Sequence, residues 1–221
     1  MMETTLGEQL LLLSLDDKSG VAREPANVAA AIAGASLVEL AIAGRIAVDG
    51  DIVSVTESTP VGLPSLDDAL SAIADYKKPG KTADWIEYLK KDAVAAASQG
   101  LVDKGLVREE TRKVLGLFPV HRYPEADSSV GVAVLERLEA AVLHGEEPQE
   151  QTVGLIALLQ GAGLAKLAFP AADKPLVEAR MAVIAQGQWA APAVRQVIQA
   201  AQQALTAIVT TTVITSAIVG N

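Results

Sequence analysis

The stretch from Val28 to Ala43 constrains the fold of this chain more than any other segment. Its residues are nearly all Ala, Ile, Leu and Val, and only Gly34, Ser36 and Glu39 interrupt them. Apolar residues on every side of a helix predict burial on most of its circumference, and Gly44 stands where helices commonly end. Because such a helix must be enclosed by other elements, the segment predicts a central core helix.

The composition favours helices as the elements around it. The chain has 221 residues, of which 50% are hydrophobic and only 3% are aromatic. Small side chains let helices approach closely, whereas a β-sandwich draws on aromatic and β-branched residues. No low-complexity linker divides the sequence, and its length suits one core. We therefore predict a mainly α protein: a compact single-domain helical bundle over residues 1–221, with short β-hairpins of which one projects.

Local patterns place the individual elements. Two alternating runs, Arg45–Val48 and Asp51–Val55, are separated by Asp49-Gly50, a dipeptide suited to a two-residue type I′ hairpin turn. A second hairpin arm is predicted over Val114–Val120. Apolar spacing and breakers predict further helices over Leu6–Leu15, after an N-cap at Ser65, and over Asp84–Ser98, Val132–Leu143, Gln149–Leu167, Pro175–Gln186 and Pro192–Val219.

The sequence from Ala204 to Val219 is the stretch that most resembles a membrane span. It is about 16 residues long and carries several threonines, whereas a span needs roughly 20 strongly apolar residues. We interpret it as a buried core helix.

The charge of the chain limits the kinds of molecule that it can bind. The net charge of −9 argues against nucleic-acid binding, because a phosphate backbone must be neutralised by clustered Lys and Arg. The charge is uneven, however. The segment from Tyr76 to Arg122 contains ten basic and six acidic residues, so its net charge is +4 and that of the remainder is −13. Such polarity lets one face meet an anionic surface.

Little in the sequence suggests catalysis or a metal. Cysteine is absent, which fits a reducing interior, and no basic region precedes the first leucines as a secretory signal would require. His121 and His144 have no visible partners and no metal-ligand spacing. We predict a non-enzymatic, cytoplasmic protein without catalytic residues, metal or cofactor. The acidic, alanine-rich composition is typical of a bacterial protein.

The second hairpin arm carries the strongest binding signal. Its apolar tip consists of Leu115, Leu117, Phe118, Pro119 and Val120, and basic residues flank it: Arg112, Lys113, His121 and Arg122. An apolar tip with a basic collar can insert shallowly between lipid headgroups while the cations meet phosphate. The alternative is that the arm packs on its own core or on a neighbouring subunit.

Short segments in fixed order carry a resemblance to a known family. They are Glu8-Gln9-Leu10-Leu11-Leu12-Leu13-Ser14-Leu15-Asp16-Asp17, Leu37-Val38-Glu39-Leu40-Ala41-Ile42-Ala43-Gly44-Arg45-Ile46, Asp84-Trp85-Ile86-Glu87-Tyr88-Leu89, Leu101-Val102-Asp103-Lys104-Gly105-Leu106-Val107, Leu155-Ile156-Ala157-Leu158-Leu159 and Glu178-Ala179-Arg180. Their order and spacing resemble the Golgi phosphoprotein 3 family. The resemblance implies a helical body with a hairpin at Val114–Tyr123 that inserts into membranes or self-associates.

The resemblance also implies a lipid, phosphatidylinositol 4-phosphate, and the positions that hold it. Those positions fall on the segment Arg23-Glu24-Pro25, on Ala33, on Lys91 and on Val94. Only Lys91 keeps a cation where the family has arginine, and lysine lacks the bidentate fork of arginine. The headgroup-binding residues predicted here are Arg23, Lys90, Lys91 and Arg122, and the predicted partner is an anionic phospholipid at the cytoplasmic surface of a membrane.

Two alternatives stay open at this point. The first is a cytosolic homo-oligomeric scaffold or adaptor that binds the tails of other proteins without specific lipid binding. The second is a winged-helix DNA binder, suggested by the helix followed by the Arg45–Val55 hairpin and opposed by the acidic charge.

Overall fold

The computed structural model describes residues 4–16, 19–76, 79–114 and 118–219. For residues 112–114, 118–120 and 212–219 it describes the backbone only. Helices dominate, as predicted. They are α1 (Leu6–Ser14), α2 (Pro25–Ile42), α3 (Pro64–Asp75), α4 (Thr82–Asp103), α5 (Ser129–Val142), α6 (Glu150–Gly161), α7 (Ala165–Ala168), α8 (Lys174–Gln186) and α9 (Pro192–Val219).

Two small antiparallel sheets accompany the helices. The first has the order β1 (Ile46–Asp49), β2 (Ile52–Val55) and β3 (Gly80–Lys81), and the second pairs β4 (Glu110–Val114) with β5 (Phe118–Arg122). The mainly α prediction with short hairpins is confirmed. The single-domain assignment over residues 1–221 stays a prediction.

Helix α2 occupies the centre of the core, as its composition predicted. It packs against α1, α4, α6 and α9, and its alanines at 30, 31, 33 and 35 are at most 1% exposed. A Cβ added at Gly34 would lie 3.0 Å from Leu158 Cδ2, so the small residue permits close contact with α6. By length and composition, α2 is the one helix in the described ranges that could cross a membrane. Here it is mostly enclosed by protein, which is typical of a core helix.

The first hairpin forms where predicted, but its turn lies one residue further along. Asp49 pairs with Ile52, so the two loop residues are Gly50 and Asp51. A type I′ turn needs positive φ at both loop residues, whereas Gly50 alone has it, at +61°. A type II′ turn needs positive φ only at its first loop residue. Glycine meets this requirement at position 50, which is why Gly50 and Asp51 form the loop in place of Asp49 and Gly50.

Three other local predictions are corrected. Ser65 does not cap α3, because the helix begins at Pro64 after Leu63, and Asp67 instead accepts from the backbone N–H groups of Val61 and Gly62. The predicted helix over Gln149–Leu167 is two helices, α6 and α7, separated at Gly163 with φ of +68°. In α9, Thr206, Ala207, Thr210 and Thr211 are exposed, while Ile208 still packs partly against the core. The interpretation of Ala204–Val219 as a buried core helix is therefore wrong for the face that carries these four residues.

Candidate functional site

Lys90 and Lys91 lie in the middle of α4 and differ in their surroundings. Lys90 Nζ forms an ion pair with Glu87 Oε2 at 2.6 Å, which neutralises it locally. Lys91 is exposed, and its Nζ lies 5.7 Å from the centre of the Tyr88 ring, at the distance of a cation–π contact. Of these two lysines, Lys91 has no acidic partner among the described residues and is the better candidate for an external anion.

Arg23 is engaged at the end of α1. Its Nη2 donates to the Leu13 carbonyl at 3.1 Å and its Nε to the Ser14 carbonyl at 3.3 Å. The last carbonyls of a helix lack partners within the helix and carry partial negative charge, so a guanidinium stabilises them. Arg23 remains exposed, and a guanidinium has five N–H donors, so some are left for a second acceptor.

Arg122 lies at the base of the β4–β5 hairpin, on the same side of the molecule as the loop between α1 and α2. The backbone N–H of Tyr123 donates to the Gly20 carbonyl at 2.7 Å. Gly20 has φ of +63°, and a Cβ there would come within 2.6 Å of the Pro124 nitrogen, so only glycine permits this contact. The contact brings the chain beside Arg122 to the loop that carries Arg23.

The hairpin tip is only partly described. Leu115 and Leu117 lie outside the described residues. In the β4–β5 ladder the backbone of Phe118 lies opposite Val114, Pro119 opposite Lys113 and Val120 opposite Arg112. The predicted insertion tip therefore stays a prediction, while the antiparallel ribbon that would carry it is present.

The remaining positions implied by the resemblance are placed less favourably. Ala33 is fully buried in the core, and Glu24 adopts a left-handed conformation with φ of +49° at the N-cap of α2. A cavity of about 290 Å³ lies beside Arg23, but Asp16 and Glu125 also line it. Two carboxylates oppose an anion there, so the cavity does not suit a headgroup phosphate.

Sequence reasoning missed a buried ionic cluster at the start of α1. Lys104 Nζ lies 2.6 Å from Glu8 Oε2, and the two side chains are 20% and 6% exposed. Glu8 also closes a capping box, since it accepts from Thr5 N while its own N–H donates to Thr5 Oγ1. A Cβ at Gly100 would collide with the Glu8 carboxylate, so α4 needs glycine here.

Glu39 completes this cluster from α2. Its Oε1 accepts from the Leu6 N–H at 2.8 Å. Burial raises the pKa of Glu39 to about 8, the charge of Glu8 adds to the rise, and the Leu6 and Gly7 N–H groups and Lys104 oppose it. A raised pKa beside a cavity often marks catalysis, but this carboxyl already holds the first turn of α1, and we assign it a positioning role.

A signal for this cluster was present in the sequence. Glu8, Glu39 and Lys104 are charged residues within three of the apolar segments that carry the resemblance. A charge inside an apolar run predicts burial with a partner. The separation of 96 residues between Glu8 and Lys104 concealed which partner it was.

The groove beside the cluster is acidic. A cavity of about 380 Å³ opens between α1, α2, α3 and α4, and Ser36, Glu39, Asp68, Tyr88 and Asp92 are among its lining residues. The carboxylates of Asp68 on α3 and Asp92 on α4 make it unsuitable for a phosphate.

The described residues were compared with the arrangements that metal ions and catalytic histidines need. Among the described residues no group of three or more His, Asp or Glu is arranged to hold a metal ion. His121 does have a partner, contrary to the sequence prediction, because its Nδ1 lies 2.9 Å from Glu109 Oε1.

Fold and site together define a helical protein with a projecting antiparallel ribbon and cations near the base of that ribbon. The sequence matches the Golgi phosphoprotein 3 (GPP34) family over residues 6–201. The chain belongs to this family, as the ordered motifs predicted.

Two fungal relatives agree with the assignment. Vacuolar protein sorting-associated protein 74 of Eremothecium gossypii is 29% identical over 159 residues, which cover 61% of this chain and 47% of that protein. The protein of the same name from Schizosaccharomyces pombe is 27% identical with the same coverage. The chain thus spans about half the length of these curated relatives. Both relatives are fungal, so the bacterial source stays a prediction from composition.

Proposed function

We propose that this protein is a non-enzymatic peripheral membrane protein that binds anionic phospholipid headgroups from the cytoplasmic side. The observation that supports the proposal is the hydrogen bond from the Tyr123 N–H to the Gly20 carbonyl, because it joins the chain beside Arg122, at the base of the β4–β5 ribbon, to the loop that carries Arg23. A phosphoinositide, phosphatidylinositol 4-phosphate by family resemblance, is the lipid we propose for this surface.

The mode of binding follows from the charges. Two N–H groups of Arg23 already donate to carbonyls at the end of α1, Lys90 is paired with Glu87, and Ala33 is buried in the core. Because these residues do not form a common set of phosphate ligands, the surface offers single cations instead of a closed pocket. Each Lys or Arg near an anionic membrane contributes about 1 kcal/mol, and salt screens that contribution. We expect binding that depends on several weak contacts and on ionic strength.

We include Lys91 in the proposed binding surface because it is exposed and contacts only the Tyr88 ring among the described charged and aromatic partners, and we expect the removal of Lys91 and Arg122 to weaken vesicle binding. The double variant Lys91→Gln, Arg122→Gln loses two contacts of about 1 kcal/mol each, so affinity for vesicles of phosphatidylcholine with phosphatidylglycerol falls about 30-fold. The measurement is co-sedimentation at low salt. Glutamine avoids placing a second carboxylate opposite Glu110, which pairs with Arg122 across the ribbon.

A matched control removes one lysine and one arginine elsewhere. Lys174→Gln, Arg195→Gln changes the net charge equally on α8 and α9, and its binding should stay within about twofold of wild type. An equal loss in both double variants would show that only net charge matters and would contradict the proposed surface.

A second candidate function is a homo-oligomeric scaffold or adaptor that binds protein tails. The two-stranded β4–β5 sheet favours it, since in the described ranges each strand pairs only with the other and leaves an outer edge for pairing with a second copy. A monomeric mass by light scattering at micromolar concentration would contradict this alternative and leave the lipid proposal intact.

A further inference from the structure

The cavity beside Arg23 combines apolar and charged lining residues. Its volume is about 290 Å³, near the lower end of the range of roughly 300–1,000 Å³ that small-molecule sites have. Apolar side chains from α1, α5 and α7 form part of its wall, among them Leu12, Leu135 and Leu167. The cavity therefore has room for a small polar group, and its apolar wall can contact a hydrocarbon part attached to that group.

Charges of both signs line this cavity. Arg23 supplies a guanidinium, and Asp16 and Glu125 supply two carboxylates. The carboxylates oppose a headgroup whose only charge is negative, but a headgroup that also carries a cation gives them a partner. Charge complementarity therefore favours a zwitterion, with a phosphate beside Arg23 and a cation beside Asp16 and Glu125.

Backbone contacts order two of these charged groups before any ligand binds. Arg23 donates to the Leu13 and Ser14 carbonyls, and its guanidinium has further N–H groups for a second acceptor. Asp16 Oδ1 accepts from the Ser19 N–H at 2.8 Å. Side chains that are already ordered lose little conformational entropy on binding, so these groups suit the recognition of a ligand.

Glu125 reaches the cavity from the segment between the β4–β5 ribbon and α5. A Cβ added at Gly131 would lie 3.1 Å from Glu125 Oε1, so the carboxylate lies against the first turn of α5, where glycine leaves room for it. Two residues before Glu125, the Tyr123 N–H donates to the Gly20 carbonyl. The cavity is therefore next to the surface that we assign to the membrane.

We propose that this cavity binds the headgroup of phosphatidylethanolamine. The inference rests on the proposed peripheral membrane function and adds a zwitterionic lipid to the anionic ones. The lipid phosphate accepts from Arg23, and the primary ammonium, with its three N–H donors, donates to Asp16 and Glu125. The choline group of phosphatidylcholine carries the same charge but has no N–H to donate. The cavity thus distinguishes two lipids of equal net charge.

Vesicles of equal charge test this preference by co-sedimentation. The content of phosphatidylglycerol is fixed, and phosphatidylcholine is replaced by phosphatidylethanolamine. Two exposed carboxylate–ammonium pairs together contribute a modest free energy, so we expect the replacement to strengthen binding of the wild-type protein about fivefold.

The double variant Asp16→Asn, Glu125→Gln separates ammonium recognition from any effect of phosphatidylethanolamine on bilayer packing. Asparagine can still accept from the Ser19 N–H, so the turn after α1 is kept. The ratio of binding with phosphatidylethanolamine to binding with phosphatidylcholine should fall to about one, because an amide lacks the charge that pairs with ammonium. The matched control Glu136→Gln, Glu139→Gln removes two exposed carboxylates of α5 and should keep the wild-type ratio.

The outcomes separate this inference from the function on which it rests. Binding to phosphatidylglycerol vesicles without a preference for phosphatidylethanolamine overturns the inference and keeps the anionic-lipid function. A preference that persists unchanged in the double variant also overturns it, because bilayer packing then explains the preference. No binding to any of these vesicles overturns both. Retained binding to phosphatidylglycerol vesicles shows that the double variant is folded, and Glu125→Gln alone, at an exposed position, gives the same comparison if it is not.

Discussion

Replacing Lys104 with methionine is expected to lower the free energy of unfolding by about 3 kcal/mol, measured by urea denaturation. Lys104 is the partner of Glu8, whose side chain is only 6% exposed. Methionine keeps most of the apolar contact of the lysine stem but leaves a buried carboxylate without its cation. Removing one member of a buried pair is costly because the remaining charge is neither solvated nor paired.

Two further variants make this expectation decisive. Glu8→Gln in the Lys104→Met background removes the unpaired charge, and glutamine still suits the capping box, so stability should be partly restored. Lys81→Met breaks the Lys81–Asp51 pair, in which both side chains are about 60% exposed, and should cost less than about 1 kcal/mol. Equal losses for Lys104→Met and Lys81→Met would contradict the buried-cluster account.

Glu39→Gln should remove a pH dependence of stability. Burial raises the pKa of Glu39 from 4.5 to about 8 in the folded protein. The folded state therefore holds a proton that the unfolded state loses above pH 4.5, so this stabilising contribution is complete below pH 4.5 and is lost as pH rises through 8. The slope is about 1.4 kcal/mol per pH unit at most, or up to about 5 kcal/mol across the window.

The measurement is the free energy of unfolding from pH 5 to pH 8. Relative to wild type, Glu39→Gln should become more stable as pH rises, because the neutral amide has no proton to lose and its oxygen can still accept from Leu6. Glu136→Gln makes the same chemical change at an exposed position on α5, so its free energy of unfolding should change with pH as that of wild type does. If the free energy of unfolding of Glu39→Gln also changes with pH as in wild type, Glu39 is ionised in the folded protein and burial does not raise its pKa.

Much of the helical scaffold could be predicted from sequence, because apolar periodicity and helix-ending glycines are local signals. The prediction of α2 as a core helix succeeded because a helix with apolar residues on every side is stable in water only when other elements enclose it. The turn after Asp49 slipped by one residue, because Asp49-Gly50 and Gly50-Asp51 are both acceptable loops and only strand pairing decides between them. Ser65 was displaced as a cap by Pro64, which is favoured at the first helical position.

The candidate site was less predictable because its residues come from separate elements. Nothing in the sequence indicated that Arg23 would donate to the carbonyls of Leu13 and Ser14. The pairing of Lys90 with Glu87 was accessible from their spacing of three on a helix. The Glu8–Lys104 pair was not, since it depends on how α1 crosses α4.

The prediction that Ala204–Val219 would be buried failed at Thr206, Ala207, Thr210 and Thr211, which are exposed. An apolar run predicts burial, but the run alone does not say which face of the helix the core covers. Ile208, on another face of the same helix, does pack partly against the core.

The most direct test of the membrane assignment is co-sedimentation of the wild-type protein with vesicles of increasing anionic lipid content. Phosphatidylglycerol, cardiolipin and phosphatidylinositol 4-phosphate are compared in phosphatidylcholine at two salt concentrations. The account predicts binding that rises with the anionic fraction and weakens at high salt. Binding that ignores both lipid charge and salt, or no binding to any of these vesicles, would contradict it.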